Sequence, residues 1–311
     1  MAKSKTVDPT QPPSMIKDVL AKKKEHRLAI IAAGVALFGF IALIPAMAAA
    51  VAIVSLVADP EILVSEAESA LEAAPDETRM FLVAQLRNIA EDGTGAGIAA
   101  VLGVAGAVYS ASGALGHFME GLNLVFDRTE TRSFIVKKLT AVSLMLGALI
   151  LLAATVFAMT VVPALVSSFI DSSAISNLIN IGRFPVLLLV LIAGLSLFFR
   201  FGPAPQSNRP TELVPGGRPP LITKGGAAAA ILALVISAVF GWIAGNFGNY
   251  GETYGTLATI IVVLLWLQYL ALAILLGAEV EAHLRRKKVF DARASAGLPP
   301  IRVEAPTELA A

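Results

Sequence analysis

The residues of this chain that could carry chemistry are few and widely separated. Its three histidines, His26, His117 and His283, fall on different segments and lack the i, i+4 spacing that a zinc site on one helix requires. The 311 residues include no cysteine, which removes disulfides, thiolate metal ligands and cysteine nucleophiles. No GxSxG elbow, phosphate loop or dinucleotide fingerprint stands in a usable context, since Gly103-Val104-Ala105-Gly106 lies inside an apolar run. The sequence therefore predicts no catalytic residue, no metal site, no cofactor and no enzyme.

What remains is polarity embedded in apolar stretches. Gly106, Ser110, Gly113 and His117 recur at helical spacing, and Glu120 and Asn123 continue the line. Such a stripe serves close helix packing, because small residues let backbones approach and hydroxyls bond across helices. It equally describes the wall of a hydrated pathway. Gln268 lies mid-stretch beside Trp266 and Tyr269, and an amide facing lipid would leave its donors and acceptors unpaired, so it should face other helices. Glu279 follows that stretch, with His283 at i+4 or a basic loop residue as its expected partner. The turn 246–255 carries three glycines, Asn249 and Tyr254, and can fold tightly with its polar groups turned inward. The candidate pathway or polar-core residues are thus Ser110, His117, Glu120, Asn123, Asn249, Tyr254, Gln268 and Glu279.

The elements that would position these groups follow from composition. Hydrophobic residues make up 56% of the chain and charged ones 15%, with a mean hydropathy of +0.76. A chain this poor in charge cannot cover itself with a polar surface. A membrane-crossing helix needs about 20 apolar residues to cover ~30 Å of hydrocarbon. Six stretches fit or nearly fit, at 28–58, 95–118, 139–169, 184–199, 225–247 and 256–278, and none contains Asp, Glu, Lys or Arg. The fourth, with 16 residues, is short; Arg183 and Arg200 bracket it and can snorkel to extend its reach. A re-entrant segment is the alternative there.

Charge sets the orientation. Of the 24 basic residues, 21 lie in the N-terminal arm, the second and fourth connections and the C-terminal tail. The positive-inside rule then places both termini in the cytoplasm. The expected architecture is an all-α polytopic membrane protein with six transmembrane helices. A basic arm, 1–27, precedes the membrane domain 28–288, and a disordered tail, 289–311, follows it. In the arm, Met15, Ile16, Val19 and Leu20 suit an amphipathic helix on the anionic inner leaflet, a disordered basic arm being the alternative. The acidic outer loop, 59–94, predicts two short helices divided at Pro75, one presenting Leu63, Ala67, Ala70 and Leu71 and the other Phe81, Leu82, Gln85, Leu86 and Ile89. Pro45 is expected to kink the first span. No aromatic-studded basic groove suggests nucleic acid. The lipid bilayer and its anionic inner-leaflet lipids are the expected partners, with room for a homo-oligomer.

Several of these segments together resemble the YihY/BrkB family of bacterial inner-membrane proteins, over roughly residues 27–288. They are Ala42-Leu43-Ile44-Pro45, Tyr109-Ser110-Ala111-Ser112, Leu122-Asn123 with Arg132, Asn249-Tyr250, Tyr254-Gly255, Leu265-Trp266-Leu267 and Leu276-Gly277-Ala278-Glu279. The chain departs from the family in having Ala42 where serine is commoner, at Gln268 directly after the tryptophan stretch, where the family often has tyrosine, and near Glu281, where it often has asparagine. The resemblance implies a six-helix inner-membrane fold with cytoplasmic termini. It also brings the labels ribonuclease BN, virulence-associated and transport. Nothing in the residues supports the first, since a hydrolase needs positioned acids, bases or metals. The expected function is a transporter or permease-like protein of unknown substrate; the alternative is a non-transporting envelope scaffold that binds a partner protein or lipid.

Overall fold

The computed structural model describes residues 14–54, 61–71, 76–91, 96–169, 173–205, 220–246 and 256–295. Among these residues there are nine helices and no strand: α1 (Met15–Glu25), α2 (Leu28–Val54), α3 (Glu61–Ala70), α4 (Asp76–Glu91), α5 (Ala96–Val125), α6 (Phe134–Phe169), α7 (Ser173–Phe201), α8 (Lys224–Asn246) and α9 (Thr256–Ser295). Three of them are long and apolar enough to cross a membrane, through Phe134–Leu151, Lys224–Ile243 and Ile260–Val289. A fourth span is reached if α1 and α2, bent by 65°, count as one.

Two elements exceed their expected bounds by the most. The apolar stretch 184–199 is the second half of α7, a helix of 29 residues that spans ~43 Å at helical rise. Hydropathy marks only the apolar half, whereas the backbone stays helical through the polar residues before it and through Pro185. Helix α9 continues to Ser295, so 289–295 are helical where the sequence predicted disorder. The charged run after Glu279 lacks an apolar period but consists of good helix formers, and Arg285 meets Glu281 at i,i+4, 3.5 Å apart. The remainder of that tail, the first 13 residues and the connection 206–219 lie outside the described residues.

Packing is closest where residues are smallest. Helices α2 and α5 run antiparallel in a fixed register. A Cβ added to Gly34 would touch the His117 ring, one on Gly113 the Phe38 ring, and one on Gly106 the ring of Pro45. Each glycine accepts a bulky partner from the facing helix. Helices α8 and α9 approach still more closely, since a Cβ on Gly277 would lie 2.4 Å from Ala229 Cβ and 2.7 Å from the Gly225 carbonyl oxygen. At one end of the bundle, Leu28, Leu122, Phe126, Phe199, Ala229 and Leu275 form a shared core. Helix α6 leaves Leu139, Leu146, Leu149 and Ile150 exposed, while Ala141 is buried and Lys137 reaches Glu120 of α5 at 2.8 Å.

Helices α3 and α4 occupy the acidic loop, and Val64, Val83 and Leu86 join them with Ala67 and Leu71 alongside. Phe81 of α4 stacks on Phe40 of α2, 6.1 Å between centroids. Helix α1 forms where the apolar spacing of Met15, Ile16 and Leu20 predicts it, with those three side chains exposed. Between α1 and α2 the backbone turns through Arg27, whose φ of 50° lies in the left-handed region. Its carbonyl then accepts the Ile30 N–H at 3.0 Å and starts α2.

Candidate functional site at the basic end of the bundle

The end of the bundle rich in Lys and Arg holds two adjoining polar assemblies. The first is an ion cluster joining four elements. Fully buried Glu279, on α9, receives His26 Nδ1 on Oε1 at 2.5 Å and Arg286 Nη2 on Oε2 at 3.4 Å. Arg286 also lies 3.7 Å from Asp18 Oδ2 and 3.6 Å from Asp127 Oδ2. His283 Nδ1 meets that Asp18 oxygen at 2.6 Å. Each histidine must carry a proton on Nδ1 to donate to its carboxylate. A charge this deep persists only when paired and hydrogen-bonded, and Glu279 has both a cationic partner and a donor. The cluster therefore fastens α1 and the turn after it to α9 and the end of α5.

Of the two partners expected for Glu279, the structure gives not His283 but a residue of a connection, the histidine of the α1–α2 turn. An i+4 partner lies one turn further along the same helix face, where His283 is engaged by α1 instead. His26, in the α1–α2 turn, takes the near oxygen of Glu279.

The second assembly is built on Asn123. Its Nδ2 donates to Glu130 Oε2 at 2.9 Å, and its Oδ1 accepts the N–H of Ala204 at 2.6 Å. Arg132 grips Glu130 with Nε and Nη2, at 2.8 and 2.9 Å, and also donates to the Gly202 carbonyl at 3.1 Å. The Arg132 guanidinium holds the Glu130 carboxyl down at about 2 from an ordinary 4.5, against the opposing pull of partial burial; Asn123 adds to the lowering. The loop after α5 is thereby clamped to the end of α7. Nearby, α8 starts at Thr223, whose Oγ1 accepts the Gly226 N–H at 2.8 Å, and Glu281 accepts the Gly225 N–H at 3.2 Å. A hydroxyl cap and a carboxylate thus satisfy donors that a helix N-terminus leaves open.

Against this clamp lies a groove of about 1480 Å³ between α5, α6 and α7, larger than the roughly 300–1,000 Å³ of an ordinary small-molecule pocket. Its walls are apolar and include Phe118, Leu144, Leu151, Leu191 and Leu195. At the basic end its lining includes Arg128, Arg132, Arg200 and Arg285, and no Asp or Glu among the described residues.

The predicted site residues do not converge. Ser110 is buried on α5 between the glycines that receive α2 side chains. The His117 ring lies 5.0 Å from that of Phe38, and its Nδ1 is 3.4 Å from Glu120 Oε2. Glu120 also holds Lys137 at 2.8 Å. Gln268 is half-buried on α9, eleven residues or ~16 Å from Glu279, beside Trp266, which donates to Ser237 Oγ at 3.3 Å. Asn249 and Tyr254 lie outside the described residues. Only Asn123 and Glu279 belong to the assemblies above. Sequence reasoning missed Asp18, Asp127, Glu130, Glu281 and Arg286. A weak signal existed for Glu281, an acid just ahead of a basic run. Among the described residues no group of three His, Asp or Glu is placed to hold a metal ion.

Comparison with known proteins places these features in context. The family described as Virulence factor BrkB matches residues 19–299. YfkH of Bacillus subtilis (strain 168), whose name calls it ribonuclease-like, is 28% identical over 194 residues, which cover 60% of this chain and 66% of that protein. A UPF0761 membrane protein of Tolumonas auensis is 42% identical over 60 residues, 19% of this chain and 20% of the other. The match thus spans just under two thirds of YfkH and a fifth of the Tolumonas protein. No solved structure matches the chain.

Proposed function

The chain is a membrane protein of the Virulence factor BrkB family, and on that premise we propose that it is a permease-like carrier with six transmembrane helices and both termini on the cytoplasmic side of a bacterial inner membrane. The six spans of the proposal are the apolar parts of α2, α5, α6, α7, α8 and α9. The observation that carries the reading is the groove between α5, α6 and α7. It follows α6 from Val136 to Thr155, ~29 Å at helical rise and close to the ~30 Å of a hydrocarbon core. We assign the passage to this groove rather than to the Ser110–His117 stripe, whose glycines receive side chains from α2. Asn123 and Glu279 keep a role in it by holding the basic end together.

Two measurements test the proposal. Tags at Lys3 and Ala311 should both react from the cytoplasmic face only; labelling from opposite faces removes the topology. Proteoliposomes should pass at least one class of solute from a broad panel, and Gly147→Phe, which fills the groove, should stop it. Absence of flux across the panel would remove the carrier.

The second reading, an envelope scaffold that binds a partner protein or lipid, draws on the α3–α4 pair, whose exposed acids Glu61, Glu68 and Asp76 stand beside the apolar contact with α2. Deleting residues 61–91 separates the two: a scaffold loses its partner, and a carrier keeps flux. The ribonuclease-like name belongs to YfkH. Here the proposal assigns no hydrolysis, because Asp18, Glu130 and Glu279 are each taken up by an arginine or a histidine. A nuclease assay on purified chain, free of soluble enzyme, checks this.

A further inference from the structure

We infer that α1 is a membrane-surface anchor, whose Ile16–Leu20 face rests in the headgroup layer at the basic end of the bundle and gathers anionic phospholipid around Lys17, Lys23, Lys24 and Arg27. The inference rests on the reading of the chain as membrane-embedded and deepens it by naming the lipid class that α1 meets.

Three observations carry it. The first is direction. The chain turns by 65° between α1 and α2, so the 11 residues of α1, ~16 Å long, advance only ~7 Å along the direction of α2. An interfacial helix sinks its apolar face about 5–10 Å into the headgroup boundary, and the whole of α1 fits within that layer. Hydrocarbon begins close by, since Ile30, on the first turn of α2, is 69% exposed, a surface that a membrane-embedded bundle turns to acyl chains. The second is roll. Asp18 Oδ2 is held by His283 Nδ1 at 2.6 Å and lies 3.7 Å from Arg286 Nη2, which turns that side of α1 to the bundle. Ile16 and Leu20, one turn apart, stand off it, 69% and 54% exposed. At about 100° per residue, Lys23 flanks this pair on one side and Lys17 and Lys24 on the other. Lysine stems lie along apolar surface while their ammonium groups reach the polar layer, which suits the rim of an interfacial helix.

The third is charge. Both acids of α1 are engaged, Asp18 by α9 and Glu25 by Lys22 at 2.9 Å. Lys17, Lys23, Lys24 and Arg27 have no acidic partner among the described residues. Cations bordering an apolar pair match an anionic headgroup layer, which attracts each of them. The helix is also ready before lipid arrives. A free amphipathic segment must fold and orient when it meets a membrane, whereas α1 is already helical and its roll is set by Asp18, so that ordering cost is absent.

The chain has no cysteine, so one introduced carries a single label. The test uses the full chain in nanodiscs, with bimane on Leu20→Cys, Ala21→Cys or Leu234→Cys. Phosphatidylglycerol or phosphatidylcholine carries a nitroxide quencher either near the headgroup or deep in the acyl chain. Leu234, exposed in the middle of α8, reports the membrane itself, and Leu234→Cys should be quenched by the deep nitroxide on either lipid. Leu20→Cys should be quenched by the shallow nitroxide, with phosphatidylglycerol favoured over phosphatidylcholine by about tenfold in relative association, the effect of one or two basic residues on an anionic headgroup. Ala21→Cys, exposed about a third of a turn further round α1, should stay open to aqueous iodide. Lys17→Gln with Lys24→Gln should lower the preference at Leu20→Cys to about twofold. Unchanged helical circular dichroism certifies each variant, and if the lysine pair fails to fold, the single-cysteine variants decide alone.

Equal quenching of Leu20→Cys by the two lipids overturns the inference, as does a preference that survives loss of both lysines. A Leu20→Cys that iodide reaches as freely as Ala21→Cys in every disc would leave this face to a protein partner and overturn it too. Deep quenching at Leu234→Cys with none at Leu20→Cys removes the anchor and leaves the membrane reading standing; no lipid quenching at Leu234→Cys removes the membrane reading itself.

Discussion

Replacing Gly277 by alanine should separate α8 from α9 and remove a large part of the stability of the basic end. The added Cβ would stand 2.4 Å from Ala229 Cβ, 2.7 Å from the Gly225 carbonyl oxygen and 2.8 Å from Ala229 Cα. Two of these three atoms are backbone, so no side-chain rotation relieves the clash. Carbon atoms rest at about 3.5–4.0 Å, which requires the helices to part by about 1 Å at the crossing. Overpacking of this kind costs about 1–3 kcal/mol. The same displacement stretches the 3.2 Å bond from Gly225 N–H to Glu281. Hydrogen bonds to charged groups contribute about 1.5–3 kcal/mol, so a combined loss of about 3 kcal/mol is expected. Trp266 supplies the assay, since its indole bonds to Ser237 across this helix pair. With Trp242 changed to phenylalanine, Trp266 is the only tryptophan left, and its emission follows unfolding in detergent. Gly277→Ala should lower the unfolding midpoint and shift the native emission, and adding Ala229→Gly should recover part of both. A variant with unchanged midpoint and emission would refute the crossing geometry.

Three further outcomes are expected. Glu130 has a folded pKa of about 2 against an ordinary 4.5, so between those values the unfolded chain binds more protons; stability present above pH 4.5 should drain away as pH falls toward 2. Glu130→Gln should flatten that acid limb in a pH series of thermal midpoints, with a loss of about 1 kcal/mol at neutral pH for a partly solvated pair. Asn123→Ala strips the Ala204 N–H of its acceptor and should cost about 1–3 kcal/mol by denaturant titration; a loss under 0.5 kcal/mol would contradict the buried geometry. Glu279→Ala leaves His26 and Arg286 facing an empty site and should cost about 3–5 kcal/mol, with Glu279→Gln milder, as measured by thermal unfolding.

How much of this was readable from the sequence depends on how local each interaction is. The period of Met15, Ile16, Val19 and Leu20 announces α1, and the spacing of Ala67 and Leu71, then Leu82 and Leu86, announces α3 and α4. Both signals are confined to a few residues. The short stretch 184–199 misleads because hydropathy measures the apolar part of a helix and not its length. The basic end was hardly legible. His26 and Glu279 lie 253 residues apart, Asp18 and His283 265, and no pattern of residue types says which acid meets which base across such distances. Asn123 stood out as a polar residue ending a stripe, yet its partners Glu130 and Ala204 follow from how two connections meet. The groove was invisible, because its lining comes from separate helices and connections that no local pattern brings together.

The interlocking of α2 and α5 also constrains motion. Phe38 occupies the notch at Gly113, His117 the notch at Gly34 and Pro45 the notch at Gly106. Sliding one helix by a turn would drive Phe38 toward His117 and leave the notches empty. The pair should therefore travel as a single spar. Whatever rearrangement this protein undergoes must then spare this seam and find its freedom at other helix contacts.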